Sequence, residues 1–515
     1  MGRQRTLTRR PLASLAAVLA AGLSTLSPAY ANSYRAMTPV DVSAGADPFA
    51  ACTADNVAQQ EATFGSTLFS RAEPEPRLAI DPTNPQNLAG VFQQDRWSDG
   101  GSRGLVAGVS HNGGLTWSQV VVPGLTACSG GTDIRASDPW VSFAADGTLY
   151  ATGITSTSPG SPGAIRVSRS TTKGDSWSSP VPLIADTFLG SFNDKESVTA
   201  DPYVTDNVYV VWDRFISPPS GQSADQGVFH SRVFRTQSYF SRTIDGGASW
   251  EPARSIYTPG PGTDAATVGN IITVLPNGDL VDGFISGTLK PMPQTFTTKA
   301  SAVAVIRSAD KGVTWTNAAT VIAPLDLSFF GAFDPDNGNP IRSGGLPDFA
   351  IDPRGGNLYA VWEDDAPVTG IDAIQFSQSS DGGVTWSAPV KINKTPATIP
   401  PADQQAFTPT VKVASDGTVG VTYYDLRQNT QAPGLPTNYW FAHCHANCTN
   451  PTDWAESHVA GPFDLEQAAF AGGYFLGDYE GMVTNGTAFE PFFGQAVNQA
   501  AGNPSDVYFT TVLPR

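Results

Sequence analysis

Five copies of one eight-residue turn constrain this chain more than any other feature of its sequence. They are "SHNGGLTW" (110–117), "STTKGDSW" (170–177), "TIDGGASW" (243–250), "SADKGVTW" (308–315) and "SSDGGVTW" (379–386). A degenerate sixth, "NPTDW", ends at Trp454, and successive tryptophans stand 60 to 73 residues apart. Repetition at a near-constant period means one supersecondary unit used many times. Around each copy the pattern is the same: two β-rich runs joined by a turn, a third run, the turn, then a fourth. Residues 138–183 show it in "DPWVSFA", "TLYATGI", "AIRVSRS" and "SSPVPLI", and residues 347–393 repeat it. Short runs bounded by Gly, Asp, Asn and Pro predict four-stranded antiparallel meanders.

Helical periodicity is nearly absent, so the expected class is all-β. Four-stranded sheets repeated in this way pack radially as a β-propeller, which leaves only short, protected edges. Full units begin near Glu75, Asp138, Glu196, Asn270, Asp348 and Thr408. A seventh begins near Gly477 and ends without a fourth strand. The segment Thr38–Ser43 resembles fourth strands elsewhere and is expected to supply it, which gives seven blades, with six as the alternative. Residues 32–515 are then one domain.

The turns follow the pattern Ser/Thr-x-Asp-x-Gly-x-Thr/Ser-Trp and resemble the Asp-box, or BNR repeat, of sialidases and related secreted glycoside hydrolases. Asn112 and Thr172 replace the aspartate in two copies. An Asp or Asn side chain accepts backbone N–H bonds within its own turn, and glycine permits left-handed backbone there. The boxes are therefore read as structural. The resemblance implies that they lie on the face away from the active site, and that no cofactor is required.

The opposite face is built from the starts of first strands and the ends of second strands. These positions hold Glu75, Arg135, Asp138, Asp194, Lys195, Glu196, Asp348, Asp478, Tyr479 and Glu480, with Asp95, Arg96, Asp213, Arg214, Glu363, Asp364, Asp365, Asp425 and Arg427. In a chain only 15% charged, that crowding is the main functional signal. Glu196, Asp213, Asp478, Tyr479 and Glu480 are the catalytic candidates, because glycosidic cleavage needs an acid with a second carboxylate or a Tyr/Glu pair. Tyr424 stands near the second group. Arg96, Arg214 and Arg427 occupy equivalent positions and would suit a substrate carboxylate if they converge. The alternative is that each pairs with its neighbouring aspartate. Asp138 and Asp194 complete the expected substrate-binding set. The stretch Glu75-Pro76-Arg77 departs from the Phe/Tyr-Arg-Ile-Pro motif of sialidases, so Arg77 is not assigned to their arginine triad. Asp334 and Asp336, around the Gly338 turn, are the calcium candidates.

Arg3, Arg5, Arg9 and Arg10 precede an apolar run, and Ala29-Tyr30-Ala31 offers a cleavage point, so residues 1–31 read as a signal peptide. Its removal takes the formal charge from -17 to -21. So acidic a chain disfavours nucleic acid and anionic membranes as partners. An exported monomer without membrane insertion is expected, extracellular or periplasmic, with carbohydrate as its substrate. The four cysteines suit an oxidising compartment and pair as Cys444–Cys448 and Cys52–Cys128. Three functions fit: a glycosidase of sialidase type, a polysaccharide lyase, or a non-catalytic binding propeller.

Overall fold

The computed structural model describes residues 1–2, 33–159, 161–188, 190–216, 235–259, 265–290, 297–325 and 331–515. Contacts separate Met1–Tyr30 from one compact unit, Ala31–Arg515. The proposed signal peptide lies almost wholly outside the described residues.

The Ala31–Arg515 unit is nearly all β. Four sheets are single antiparallel meanders: Ser191–Ala200 to Arg254–Tyr257, Ala265–Val274 to Thr320–Leu325, Asp348–Ile351 to Val390–Lys391, and Ala406–Val413 to Ala455–Asp464. Two more meanders, Arg77–Ile80 to Ser118–Val121 and Arg135–Phe143 to Val181–Ala185, are joined into one sheet by the pairing of Ser102 with Ala136. The strands Gly481–Asn485, Ala488–Asn498 and Asn503–Phe509 form a further meander, and Val40–Asp41 pairs beside its last strand. First strands touch in cyclic order along the chain, and Gly481–Asn485 returns to Arg77–Ile80.

Both ends of the unit are fastened in this last sheet. Val40 lies opposite Phe509 and Asp41 opposite Tyr508, and the Val42 amide donates to the Val507 carbonyl at 2.8 Å. Tyr34–Ala36 also pairs with Val512–Pro514, a contact the sequence pattern does not signal. Close packing between neighbouring units depends on glycines. A Cβ on Gly283 would lie 2.3 Å from the Phe349 ring, and one on Gly420 would lie 2.4 Å from Phe489.

The eight-residue turns do what their chemistry dictates. Ser379 Oγ accepts the Gly383 amide at 2.9 Å, and Asp381 Oδ1 accepts the Thr385 amide at 2.9 Å. Where the aspartate is replaced, Asn112 Oδ1 accepts the Thr116 amide at 3.0 Å and Thr172 Oγ1 accepts the Ser176 amide at 2.9 Å. Any short side-chain acceptor at that position closes the turn.

The disulfides Cys52–Cys128 and Cys444–Cys448 are both formed. No helix among the described residues is long and apolar enough to cross a membrane. The helix Val57–Phe64 and a small sheet of Ile341–Arg342, Tyr474–Phe475 and Ala469–Phe470 are among the features outside the repeat.

Candidate functional site

The site begins with a backbone irregularity. Four first strands shift register near their starts, at Ser137/Trp140, Asp194/Ser197, Val268/Ile271 and Phe407/Thr410. Within each shift one residue has positive φ: Asp138 (53°), Lys195 (50°), Gly269 (76°) and Thr408 (52°). Glu75, just before the Arg77–Ile80 strand, has φ 59°. Left-handed backbone at a non-glycine residue costs about 1–3 kcal/mol and persists where surrounding structure enforces it. At Glu75, Asp138 and Lys195 it accompanies the meeting of three charged side chains from three different units.

Lys195 is the hub. Its Nζ lies 3.3 Å from Glu75 Oε1, 3.0 Å from Asp138 Oδ2 and 2.5 Å from Asp478 Oδ2. Arg342 grips Asp478 from the other side, with Nε and Nη2 donating at 3.1 and 2.8 Å. Arg96 donates to Gln93 Oε1 at 2.7 Å and to Ser137 Oγ at 3.3 Å. The guanidinium groups of Arg96 and Arg342 both lie over the Phe475 ring, 4.7 and 4.3 Å from its centroid.

Burial opposes ionisation throughout this cluster, and neighbouring charges decide each outcome. At Asp478 burial is outweighed by Arg342 and Lys195, which hold the carboxyl well below its ordinary range. At Asp138 Lys195 and the Ser137 hydroxyl outweigh burial and lower the pKa. Glu75 goes the other way, up to about 7, because burial and the Asp138 charge exceed what Lys195 returns. Asp194 is also pushed up to about 7 by burial and Asp138, although part of its surface meets solvent. Glu196 is the extreme case. Both of its oxygens are buried without a hydrogen-bond partner, and burial, followed by Asp138, raises its pKa well above the usual carboxyl value.

Glu196 and Asp478 share a cavity of ≈ 20 Å³ with Arg77, Trp140, Lys195, Asp348 and Tyr479. That is room for a water molecule. A larger cleft of ≈ 520 Å³ lies at the Asp381 turn. Its acids serve their own turns: Asp381 accepts from Thr385, and Asp279 accepts from Asn277 Nδ2 at 2.9 Å. The smaller cavity holds the carboxyl pair with divergent environments and is the better chemical candidate.

Other expected site residues are committed elsewhere. Asp213 accepts from Thr267 Oγ1 (2.8 Å), the Gly269 amide (2.7 Å) and Asn270 Nδ2 (2.6 Å), and so ties two neighbouring units together. Glu480 accepts from Tyr424 Oη at 2.9 Å and from the Gly494 amide at 3.1 Å. Both Glu480 and Tyr424 are fully buried. The Tyr479 hydroxyl donates to the Pro139 carbonyl at 2.9 Å, and burial pushes its pKa well above the ordinary phenol value.

The three arginines expected to converge share no partner. Arg214 pairs with Asp186 at 2.6 Å, and Arg427 pairs with Asp425 at 2.5 Å and Glu456 at 2.6 Å. Arg96 alone joins the Lys195 cluster. Asp334 Oδ1 accepts the Asp336 amide at 2.9 Å within its own loop, and Asp336 Oδ2 accepts Asn429 Nδ2 at 3.1 Å from a distant connection. Among the described residues, the acid, thiol or imidazole ligand atoms that come within 4.8 Å of one another in threes belong to Cys52, Asp55 and Cys128, whose thiols are in a disulfide. The calcium candidates are not part of such a group.

Arg342 is an addition that sequence reasoning missed, and Arg77 is one that it weighed and left unassigned. Arg77 donates to Asp348 Oδ1 at 3.2 Å and to the Glu480 carbonyl at 3.0 Å, and it lies 3.8 Å from the Trp140 ring centroid. Arg342 comes from a long connection between repeats, where no periodic pattern points to it. Lys195 had a visible signal, a single lysine among acids at a strand start.

No protein family and no curated protein matches this sequence. Solved structures that resemble it include a Hadza microbial sialidase, 14% identical with TM-score 0.45, over 82% of this chain and 73% of that one. Another is an α-L-arabinanase of Penicillium chrysogenum complexed with arabinobiose, 12% identical with TM-score 0.47, over 93% and 98% of the two chains. A third, from Dyadobacter fermentans, has unknown function; it is 15% identical with TM-score 0.45, over 87% and 98%.

Proposed function

We propose that this chain is a secreted glycoside hydrolase of sialidase type, a seven-bladed propeller whose chemistry is done at the Lys195 cluster. In this reading the meanders are the blades, the strand Val40–Asp41 closes the last one, and the eight-residue turns are Asp-boxes on the opposite face. The mature protein is an extracellular or periplasmic monomer, released by cleavage near Ala31. Exo-α-sialidase or a related glycosidase activity on extracellular glycans is the specific expectation.

One observation carries the proposal: a single cavity holds two carboxyl groups in opposite environments. Glu196 has no hydrogen-bond partner and burial pushes it toward the protonated form, whereas Asp478, gripped by Lys195 and Arg342, is held toward the ionised form. Environments that push two carboxyls apart in this way assign an acid and a charged partner. Glu196 protonates the leaving-group oxygen through a water taken up in the cavity. Asp478 faces the positive charge that develops on the sugar ring. The cavity takes a water but no sugar ring, so the ring binds outside it, on the side where Lys195, which lines the cavity, keeps some exposure. Tyr479 serves as a wall, its hydroxyl held by Pro139.

The test is incubation of the mature chain with sialosides, arabinans and uronate polymers. New reducing ends support hydrolysis, unsaturated products absorbing in the near ultraviolet indicate a lyase, and binding without turnover indicates a receptor. Either of the last two outcomes overturns the proposal.

A further inference from the structure

The sheet that joins the chain's two ends contains a second carboxyl cluster, far from any role in the chemistry above. Asp41 lies on the strand Val40–Asp41, Asp506 on Asn503–Phe509, and Glu73 on the connection whose Ala72 bridges to Ser505. The Glu73 amide donates to Ser505 Oγ at 3.0 Å, and the Val507 amide donates to Ser43 Oγ at 2.9 Å. These contacts hold the N-terminal strand, the C-terminal strand and the entry to the first meander together.

The acceptors at this seam outnumber the donors. Asp41 Oδ1, Glu73 Oε2, Asp506 Oδ1 and Gln94 Oε1 are all buried without a hydrogen-bond partner. Glu73 is 2% exposed, Asp506 4% and Gln94 0%. Gln94 donates to Asp95 Oδ1 at 3.2 Å, and Ser43 and Gln94 beside the Glu73 carboxyl only partly offset its burial, leaving Oε2 unpartnered. Buried acceptors are rarely left unsatisfied, and a buried carboxyl oxygen without a donor calls for a proton or a cation. The three carboxyls do not form a group of ligand atoms within 4.8 Å of one another. A proton is the donor that fits.

We propose that the seam is a proton-operated clasp, held shut by Asp41, Glu73 and Asp506 as neutral carboxyl groups and loosened as they ionise.

The surrounding charges agree with this. Burial, then Asp506, raises Asp41 to about 6; burial raises Glu73 well above its ordinary value and also raises Asp506. Arg71 is the facing cation, its Nη2 4.0 Å from Asp506 Oδ1 with its side chain 35% exposed. Tyr508, whose own pKa is raised to about 12, adds no positive charge. Asp95, beside Gln94, is paired with Arg103 at 3.3 Å and also feels Asp47. All three folded-state values lie above the unfolded ones. Their contribution is therefore fully present below about pH 4 and is lost as pH rises through about 6.

Hydrogen exchange at the Val42 and Val507 amides, corrected for intrinsic rates, tests the clasp in the mature protein. A rise of Asp41 from 3.8 to about 6 corresponds to ~100-fold in the local opening equilibrium over the whole titration, of which ~30-fold falls between pH 4.5 and pH 8, and protection should fall by roughly that smaller factor over this interval. Asp41→Asn and, independently, Glu73→Gln supply neutral isosteres and should each make the profile shallower, with protection at pH 8 above that of the wild type. Wild-type protection that is equal at the two pH values would overturn the proposal, as would variants with the wild-type slope. Full protection at pH 8 on adding calcium chloride alone would also overturn it, in favour of a bound cation.

Discussion

Replacing Lys195 with methionine removes one charge from a buried group of four, and with it the ammonium 5.9 Å from the Tyr479 ring centroid, while keeping most of the aliphatic stem. Breaking a buried pair by deleting one partner costs about 3–5 kcal/mol, because the charge left behind is uncompensated. Here three carboxyls lose their cation, although Arg342 still holds Asp478. For a unit spanning Ala31–Arg515 the unfolding entropy is about 1 kcal/mol/K, so Lys195→Met should lower Tm by ~3–5 °C at pH 8. The pH dependence follows from the depressed values of Asp138 and Asp478. Depressed carboxyls stabilise the fold above their unfolded pKa of about 4, and that stability is lost as pH falls through the folded values. In the variant these carboxyls escape the penalty by taking up protons, so its deficit should shrink by pH 4. Differential scanning fluorimetry at pH 8 and pH 4 reads both quantities. An unchanged Tm at pH 8, or an equal deficit at both pH values, would refute the reasoning.

Further consequences concern the scaffold. Gly283→Ala forces a Cβ into the Phe349 ring and should cost about 1–3 kcal/mol in denaturant unfolding, with partial recovery in Gly283→Ala/Phe349→Leu. Removing Cys52–Cys128, whose partners stand 76 residues apart, should cost about 4–5 kcal/mol by loop entropy, against about 2 kcal/mol for Cys444–Cys448 at a separation of 4. Equal losses in urea melts would count against that account. Deleting residues 33–43 strips the partners of Val512–Pro514 and Tyr508–Phe509 and exposes unpaired edges. Cooperative melting should then broaden or disappear, and an unaltered transition would argue against closure by this segment.

How much of this was legible in the sequence varies by level. The meanders and their turns were, because period-two runs and an Asp/Gly/Trp turn are local chemistry that each repeat writes again. Val40–Asp41 was legible as a strand because it looks like other fourth strands; Tyr34–Ala36 was not, because three residues carry no periodicity. The charged end of the repeats was also legible, and Glu196, Asp138, Asp194, Asp478 and Lys195 do meet there. Roles within it were not. Asp213 and Glu480 look like Glu196 in sequence, yet their oxygens accept hydrogen bonds from neighbouring units, while those of Glu196 have no partner. Partner choice is a three-dimensional fact, and for Arg214 and Arg427 it fell to Asp186, Asp425 and Glu456 rather than to one another.

The assignment of Glu196 as proton donor is tested most directly by varying the leaving group. Turnover by wild type and Glu196→Gln would be compared on one glycone carried by a sugar leaving group and by 2,4-dinitrophenol, which departs without protonation. The account predicts a loss of ~100-fold or more on the sugar leaving group and near wild-type turnover on the dinitrophenyl glycoside, with Tm nearly unchanged. Equal losses on both substrates, or wild-type turnover on the sugar leaving group, would contradict it.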